Sequence, residues 1–293
     1  MARFNPRKLT DNLETVAGVR ELVRIVKNLN ESGRKIIIQS ISGNLTQAGK
    51  QQFLTNIRSL ASSADQDIRN WLLSAVSKTY VSGINQTNAN VADEISKRRF
   101  TIPVGKNLAV KKITVGMITS SASLVQHKEA VNVLLSSAYS DFANSITGYV
   151  RGAERIIDSA LKQQIRSKIA VGALEGDSIR AVKKTIVQEF ADSGFTVLLD
   201  KRGRKWSLSN YSEMLARTHI LKANNEGVIN RASDFEIDIV QVFEPSPQDD
   251  LCLSYADKLF SISGKSDNYP MLEATPPFHP NCRGSLIMRP DLN

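Results

Sequence analysis

The sequence predicts a mainly α-helical protein in two parts, an elongated helical amino-terminal domain over residues 1–175 and a small α+β carboxy-terminal domain over residues 176–293. Three observations predict it. Apolar residues recur at helical spacing through most of the first 175 positions. After Gly176 the texture changes to turn signals and short alternating segments, of which Phe235–Phe243 is the clearest strand. Residues 245–284 then gather both cysteines, Cys252 and Cys282, together with His279 and most of the prolines, which is the chemistry of a stiff loop.

In chain order, Asp11 with Glu14 has the spacing of a capping box, and Leu13, Val16, Val19, Val23 and Val26 follow at helical period as far as Asn30 and Gly33. Residues 34–41 are β-branched but lie among helical neighbours and are read as helix. Thr46 is a candidate N-cap for a stripe containing Phe53, Ile57, Leu60, Ile68, Trp71 and Leu72, whose aromatics belong to the core. Gly83 and the Asn-rich run 85–90 predict a turn, and Pro103 to Gly105 a second break. Residues 107–172 read as helix without a sustained heptad, which disfavours a coiled coil; His127 is expected on its surface. A helix is expected from Asp177 to Ser193, then a β-hairpin over 195–208 with Gly203 in its turn. A helix from Ser209 carries Thr218 and Asn225 on its apolar face, and polar groups buried there are expected to hold down neighbouring loops.

Of 293 residues, 41% are hydrophobic, enough for a packed core and against a disordered chain. Charge is unevenly placed. Positions 1–231 carry 34 Lys and Arg against 19 Asp and Glu, whereas positions 232–293 carry 4 against 10. Such a basic body is drawn to polyanions, nucleic acid above all, unless it is simply a solvated helical surface. Lys201, Arg202, Arg204 and Lys205 cluster on the hairpin tip and are candidates for phosphate-backbone contact. Two cysteines make no disulfide framework and suit a reducing compartment. The amino terminus lacks the apolar run of a signal peptide, and no stretch approaches the ~18 apolar residues of a membrane span, so a soluble start in the cytoplasm is expected.

The proline-rich loop carries the candidate chemistry. Asp249 and Cys252 stand three apart, as do His279 and Cys282, giving a possible four-ligand zinc set. The alternatives are a metal-free knot with buried cysteines, or a nucleophilic Cys282 beside His279 or His219, for which no orienting third group is evident. A Gly-rich phosphate loop, a Gly-x-Ser-x-Gly elbow and a His-Glu-x-x-His motif are all missing from the sequence.

Four segments stand in a distinctive order: Asp200 to Met214; Ala216-Arg217-Thr218 with Asn225-Glu226-Gly227; Cys252 six residues ahead of Lys258-Leu259-Phe260; and Pro276-Pro277-Phe278-His279-Pro280-Asn281-Cys282-Arg283. Together they resemble the MuF-type domain of tailed-phage minor head proteins, in the branch often called minor capsid protein 2. The resemblance covers about residues 176–293 and marks Arg217, Thr218, Asn225, Gly227, Pro280, Asn281 and Arg283 as structural motif positions. Family members often carry Cys where this chain has Asp249, and Gly where it has Asp257.

The resemblance implies a non-enzymatic virion component inside the phage head near the portal vertex, made in the host cytoplasm. It would bind the portal protein and inner capsid, touch phage DNA by non-specific electrostatics, and act in head morphogenesis, packaging or ejection, with no membrane partner during assembly. The alternative from the residues alone is a zinc-dependent hydrolase, nuclease or peptidase, using Cys252, His279 and Cys282.

Overall fold

A computed structural model describes residues 13–15, 17–41, 45–103, 110–120, 124–170, 196–199 and 205–293. The expected cap at Asp11, the helix expected over 177–193 and the boundary expected at 175/176 lie outside these residues.

Helix α1 spans Val19–Ile41 and buries Leu22, Ile25, Val26, Leu29 and Ile37 on one stripe. It runs on past Gly33, where the sequence suggested a stop, while the actual break is at Gly18, whose φ of 65° suits glycine. Helix α2, Gln47–Ser96, starts at Thr46, whose Oγ1 accepts the Gly49 N–H at 3.0 Å. The turn expected over Gly83 to Asn90 is absent; these residues are helical. Asn85 instead donates to the Ile113 carbonyl at 2.9 Å and accepts its N–H at 2.8 Å, and Asn88 donates to the Lys111 carbonyl at 2.8 Å. These asparagines serve a neighbouring extended segment rather than their own backbone, so a composition that reads as a turn is compatible with helix.

That segment interrupts the single helix expected over 107–172, which resolves into α3, Val115–Ser120, and α4, Val125–Ala170. The expected hairpin is present as β1, Thr196–Leu199, paired antiparallel with β2, Lys205–Ser207. Helix α5, Leu208–Asp234, leads to β3, Ile239–Phe243. The strand is shorter than predicted because Phe235 and Glu236 complete the turn closing α5, with Glu236 at φ 59°. Within and just beyond the expected loop lie α6, Asp250–Tyr255; β4, Leu259–Ser261; and β5, Ser285–Met288. The sheet order is β4-β3-β5, antiparallel throughout. Among the described residues no helix is long and apolar enough to cross a membrane.

The chain forms two compact units. One comprises Glu21–Trp71 and Tyr139–Glu213. Its core includes Phe53, Ile57 and Trp71, the last meeting Phe142 edge-on at 6.0 Å, and the buried Tyr149 hydroxyl donates to the Leu29 carbonyl at 3.0 Å.

The other unit comprises Met1–Arg20, Leu72–Ala138 and Met214–Asn293. Here Val91 of α2 and Val228 of α5 pack with Phe235 against Val240, Val242 and Leu286 of the sheet. His127, expected on a surface, is buried in this unit between the Tyr80 hydroxyl at 2.9 Å and Asp234 at 3.0 Å. Arg231 donates to the same Asp234 oxygen at 2.8 Å and to Asn88 at 2.7 Å. Burial alone would raise the Asp234 carboxyl, but hydrogen bonds from His127 and Arg231 outweigh it and hold the group below its ordinary range.

Candidate metal centre

The site is assembled by three pieces of chain. Asp249 caps α6: its extended backbone turns into the helix while its carboxylate accepts the Cys252 N–H at 2.9 Å. That hydrogen bond lowers the Asp249 pKa. The cap fixes Cys252 on the inner side of α6, where it is fully buried. Tyr255, one turn later, stacks on Phe260 and meets Phe278 at a tilt, each ring centroid 4.9 Å away, tying α6 to β4 and to the proline-rich loop.

The second piece is the His-Pro-Asn-Cys turn. The Cys282 N–H donates to the His279 carbonyl at 3.0 Å, with Pro280 at the second corner and Asn281 at φ 65° at the third. Proline there and a left-handed residue next are what a type II turn requires, and Asn tolerates that conformation better than most side chains. The turn aims both ends of the motif inward. Cys252, His279 and Cys282 bring Sγ, a ring nitrogen and Sγ within 4.8 Å of one another. Asp249, the fourth ligand expected from spacing, is not in that group, and neither is any other carboxylate of the described residues.

The third piece is Glu244, which directly follows β3 and is only 3% exposed. Its Oε2 accepts the Cys282 thiol at 3.2 Å and its Oε1 accepts the Ser246 N–H at 3.2 Å. Spacing does not mark it as a ligand in the sequence. A carboxylate at the end of the best strand, followed at once by Pro245, was the available signal. Burial pushes the Cys282 thiol up to about 12, with Glu244 adding to the rise, and burial also raises Cys252. A nucleophilic thiol needs the opposite shift, so the burial of both thiols speaks against that reading.

Asn225 of α5 holds the turn down, as expected. It donates to the carbonyls of Pro276 at 2.9 Å and Gly284 at 3.3 Å and accepts the Leu286 N–H at 3.1 Å. Thr218 instead bonds back to the Met214 carbonyl of its own helix at 3.0 Å, so the loop-holding role expected of it falls to Asn225. Arg217 pairs with Glu14 at 2.8 Å, Gly227 lies against the Tyr80 carbonyl, and Arg283 is exposed. Lys205 is exposed at the start of β2, while Lys201, Arg202 and Arg204 lie outside the described residues.

The family model for phage minor capsid protein 2 matches residues 49–284, most of the chain. The chain belongs to the phage minor capsid protein 2 family. No curated protein and no solved structure matches it. Membership makes this minor capsid protein a structural component of the virion, and the match reaches well upstream of residue 176, where the motif-level resemblance began. It also places the Asn225 anchor, β3, β4 and the His-Pro-Asn-Cys turn within the family segment, and β5 follows directly after it.

Proposed function

We propose that this minor capsid protein sits inside the phage head near the portal vertex. There it binds the portal protein and inner capsid, contacts packaged DNA through backbone charge, and serves head morphogenesis, packaging or ejection without catalysis. The observation that carries this reading is the family match over residues 49–284, and the partition of charge supports the DNA contact. On α1, Arg24, Lys27, Arg34 and Lys35 are all exposed on the side opposite its buried stripe. Only Lys27 of these has an intrahelical partner, Glu31 at 3.8 Å, a spacing worth little in solvent. Basic side chains so placed suit a phosphate backbone read without regard to sequence.

Two measurements test it. Affinity for double-stranded DNA is expected to fall steeply between low and physiological salt, and to weaken with a shallower salt slope when Lys201, Arg202, Arg204 and Lys205 become Ala. Binding that ignores salt would sink the DNA contact. Pull-down with the portal protein of the same phage genome tests the location, and failure to retain it would remove the portal from the reading.

A further inference from the structure

We infer that Cys252, Cys282 and His279 hold a zinc ion in a closed structural site whose fourth ligand is the Glu244 carboxylate rather than Asp249. The inference rests on the geometry of this lobe and stands or falls independently of the portal and DNA contacts proposed above.

The histidine is the first indication. Its Nδ1 lies 2.8 Å from the Pro280 carbonyl oxygen, which can only accept, so Nδ1 bears the proton and Nε2 keeps its lone pair. That Nε2 is buried and has no hydrogen-bond partner. A buried acceptor left unpaired costs about 1–3 kcal/mol, and a fold does not keep one without a reason. Fixing one ring nitrogen on a carbonyl while the other points at a shared centre is how metal-binding histidines are oriented.

The spacing agrees. With Zn–S near 2.3 Å and Zn–N or Zn–O near 2.0–2.1 Å, the edges of a zinc tetrahedron come to about 3.3–3.8 Å. The three donor atoms already lie within 4.8 Å of one another, so closing on an ion asks each to move by about 1 Å or less. Cys282 Sγ and Glu244 Oε2 are 3.2 Å apart, inside the roughly 3.5 Å of a sulfur–oxygen edge, and the carboxylate, which lies outside the three-ligand group, swings toward Cys252 and His279 to complete the set.

Glu244 is the better fourth ligand for two reasons. Its carboxyl is buried, its partners are a thiol and a backbone N–H, and no basic side chain pairs with it among the described residues. Such a group lacks a positive charge that a divalent cation would supply. Room is also kept for it: a Cβ on Gly284 would fall 3.0 Å from Oε2 and 2.7 Å from Pro276 Cβ. The Gly284 N–H meanwhile points at Cys282 Sγ at 3.4 Å, a bond that steadies a thiolate. Asp249 is exposed and already engaged in capping the helix that carries Cys252. Two thiolates and an imidazole select a soft ion such as zinc over magnesium or calcium. On binding, the S–H protons of Cys252 and Cys282 leave to solvent and two Zn–S bonds replace them. With all four positions taken by protein the ion is structural, since a catalytic zinc keeps a position open.

The test uses the full chain freed of any purification tag. Elemental analysis is expected to give one zinc per chain, and Co²⁺ added to the metal-free protein is expected to produce the intense visible bands of a tetrahedral site with sulfur-to-metal charge transfer. Glu244→Gln is expected to weaken zinc affinity at least about tenfold and to shift the cobalt bands. Asp249→Asn, which preserves an N-cap, should leave both unchanged. Wild-type protein that takes up neither zinc nor cobalt overturns the site. Cobalt bands altered by Asp249→Asn but not by Glu244→Gln overturn the choice of fourth ligand. Metal uptake is read on wild-type protein, so a Glu244→Gln variant that fails to fold leaves the test of the site itself intact.

Discussion

Gly227 of α5 lies against the backbone of Tyr80 in α2: a Cβ on Gly227 would fall 2.2 Å from the Tyr80 carbonyl oxygen. The relation is reciprocal, since a Cβ on Gly83 would fall 2.0 Å from the Asn224 carbonyl oxygen. The Asn224 side chain donates to the Thr79 carbonyl at 3.3 Å across the same crossing. Glycine inside an exposed helix weakens it relative to alanine by about 1 kcal/mol, and here that sign is expected to reverse. Gly227→Ala and Gly83→Ala should each destabilise by about 3 kcal/mol, because a backbone oxygen cannot move aside as a side chain can. Gly49→Ala is the control. Its Cβ would meet only Thr46 Oγ1 at 3.4 Å, and it should raise stability by up to about 1 kcal/mol in urea denaturation.

Asn225→Ala removes an amide that binds two carbonyls and one N–H of the proline-rich turn in a fully buried place. A loss of about 3 kcal/mol is expected, and limited proteolysis should show cleavage appearing within residues 270–285. Unchanged stability would mean that the turn is held by other contacts.

Asp257 has φ 58°, the left-handed region in which glycine carries no Cβ penalty. The side chain is exposed and its carboxylate makes none of the hydrogen bonds that hold this turn, in which its backbone carbonyl accepts from Gln241 at 3.3 Å. Asp257→Gly is therefore expected to stabilise the protein by up to about 1 kcal/mol, measured as a rise in denaturation midpoint.

Asp234 sets a pH dependence. Its folded-state pKa is lowered, so the stability it contributes is present above the ordinary carboxylate value near 3.9 and is lost as pH falls through the folded value. Asp234→Asn should lower stability at neutral pH and flatten the acid limb of the stability curve below about pH 4. Parallel acid limbs for the two proteins would show that another group governs that loss.

Long amphipathic stripes made α1 and most of α2 legible in the sequence, because burial of Leu22, Ile25 and Phe53 at helical period is written directly in residue type. The continuity of α2 was not legible. Gly83 and the asparagines after it carry turn chemistry locally, yet their meaning is set by α5 and by the segment around Ile113, far away in the chain. His127 misled for the same reason, since its partners Tyr80 and Asp234 are distant in sequence. In the site, the pairing of Cys252 with His279 and Cys282 was legible from spacing alone. Glu244 was not, because a carboxylate at a strand end looks like any exposed acid until β5 and the turn close over it. The strands β4 and β5 are three and four residues long and too short for alternation to mark them.

Quantitative mass spectrometry with chemical cross-linking on purified phage particles tests the functional assignment most directly. The protein is expected in finished particles at far lower abundance than the major capsid protein, with cross-links from its lysines to the portal. Its absence from particles that contain a normal complement of portal would contradict a role as a minor component of the head.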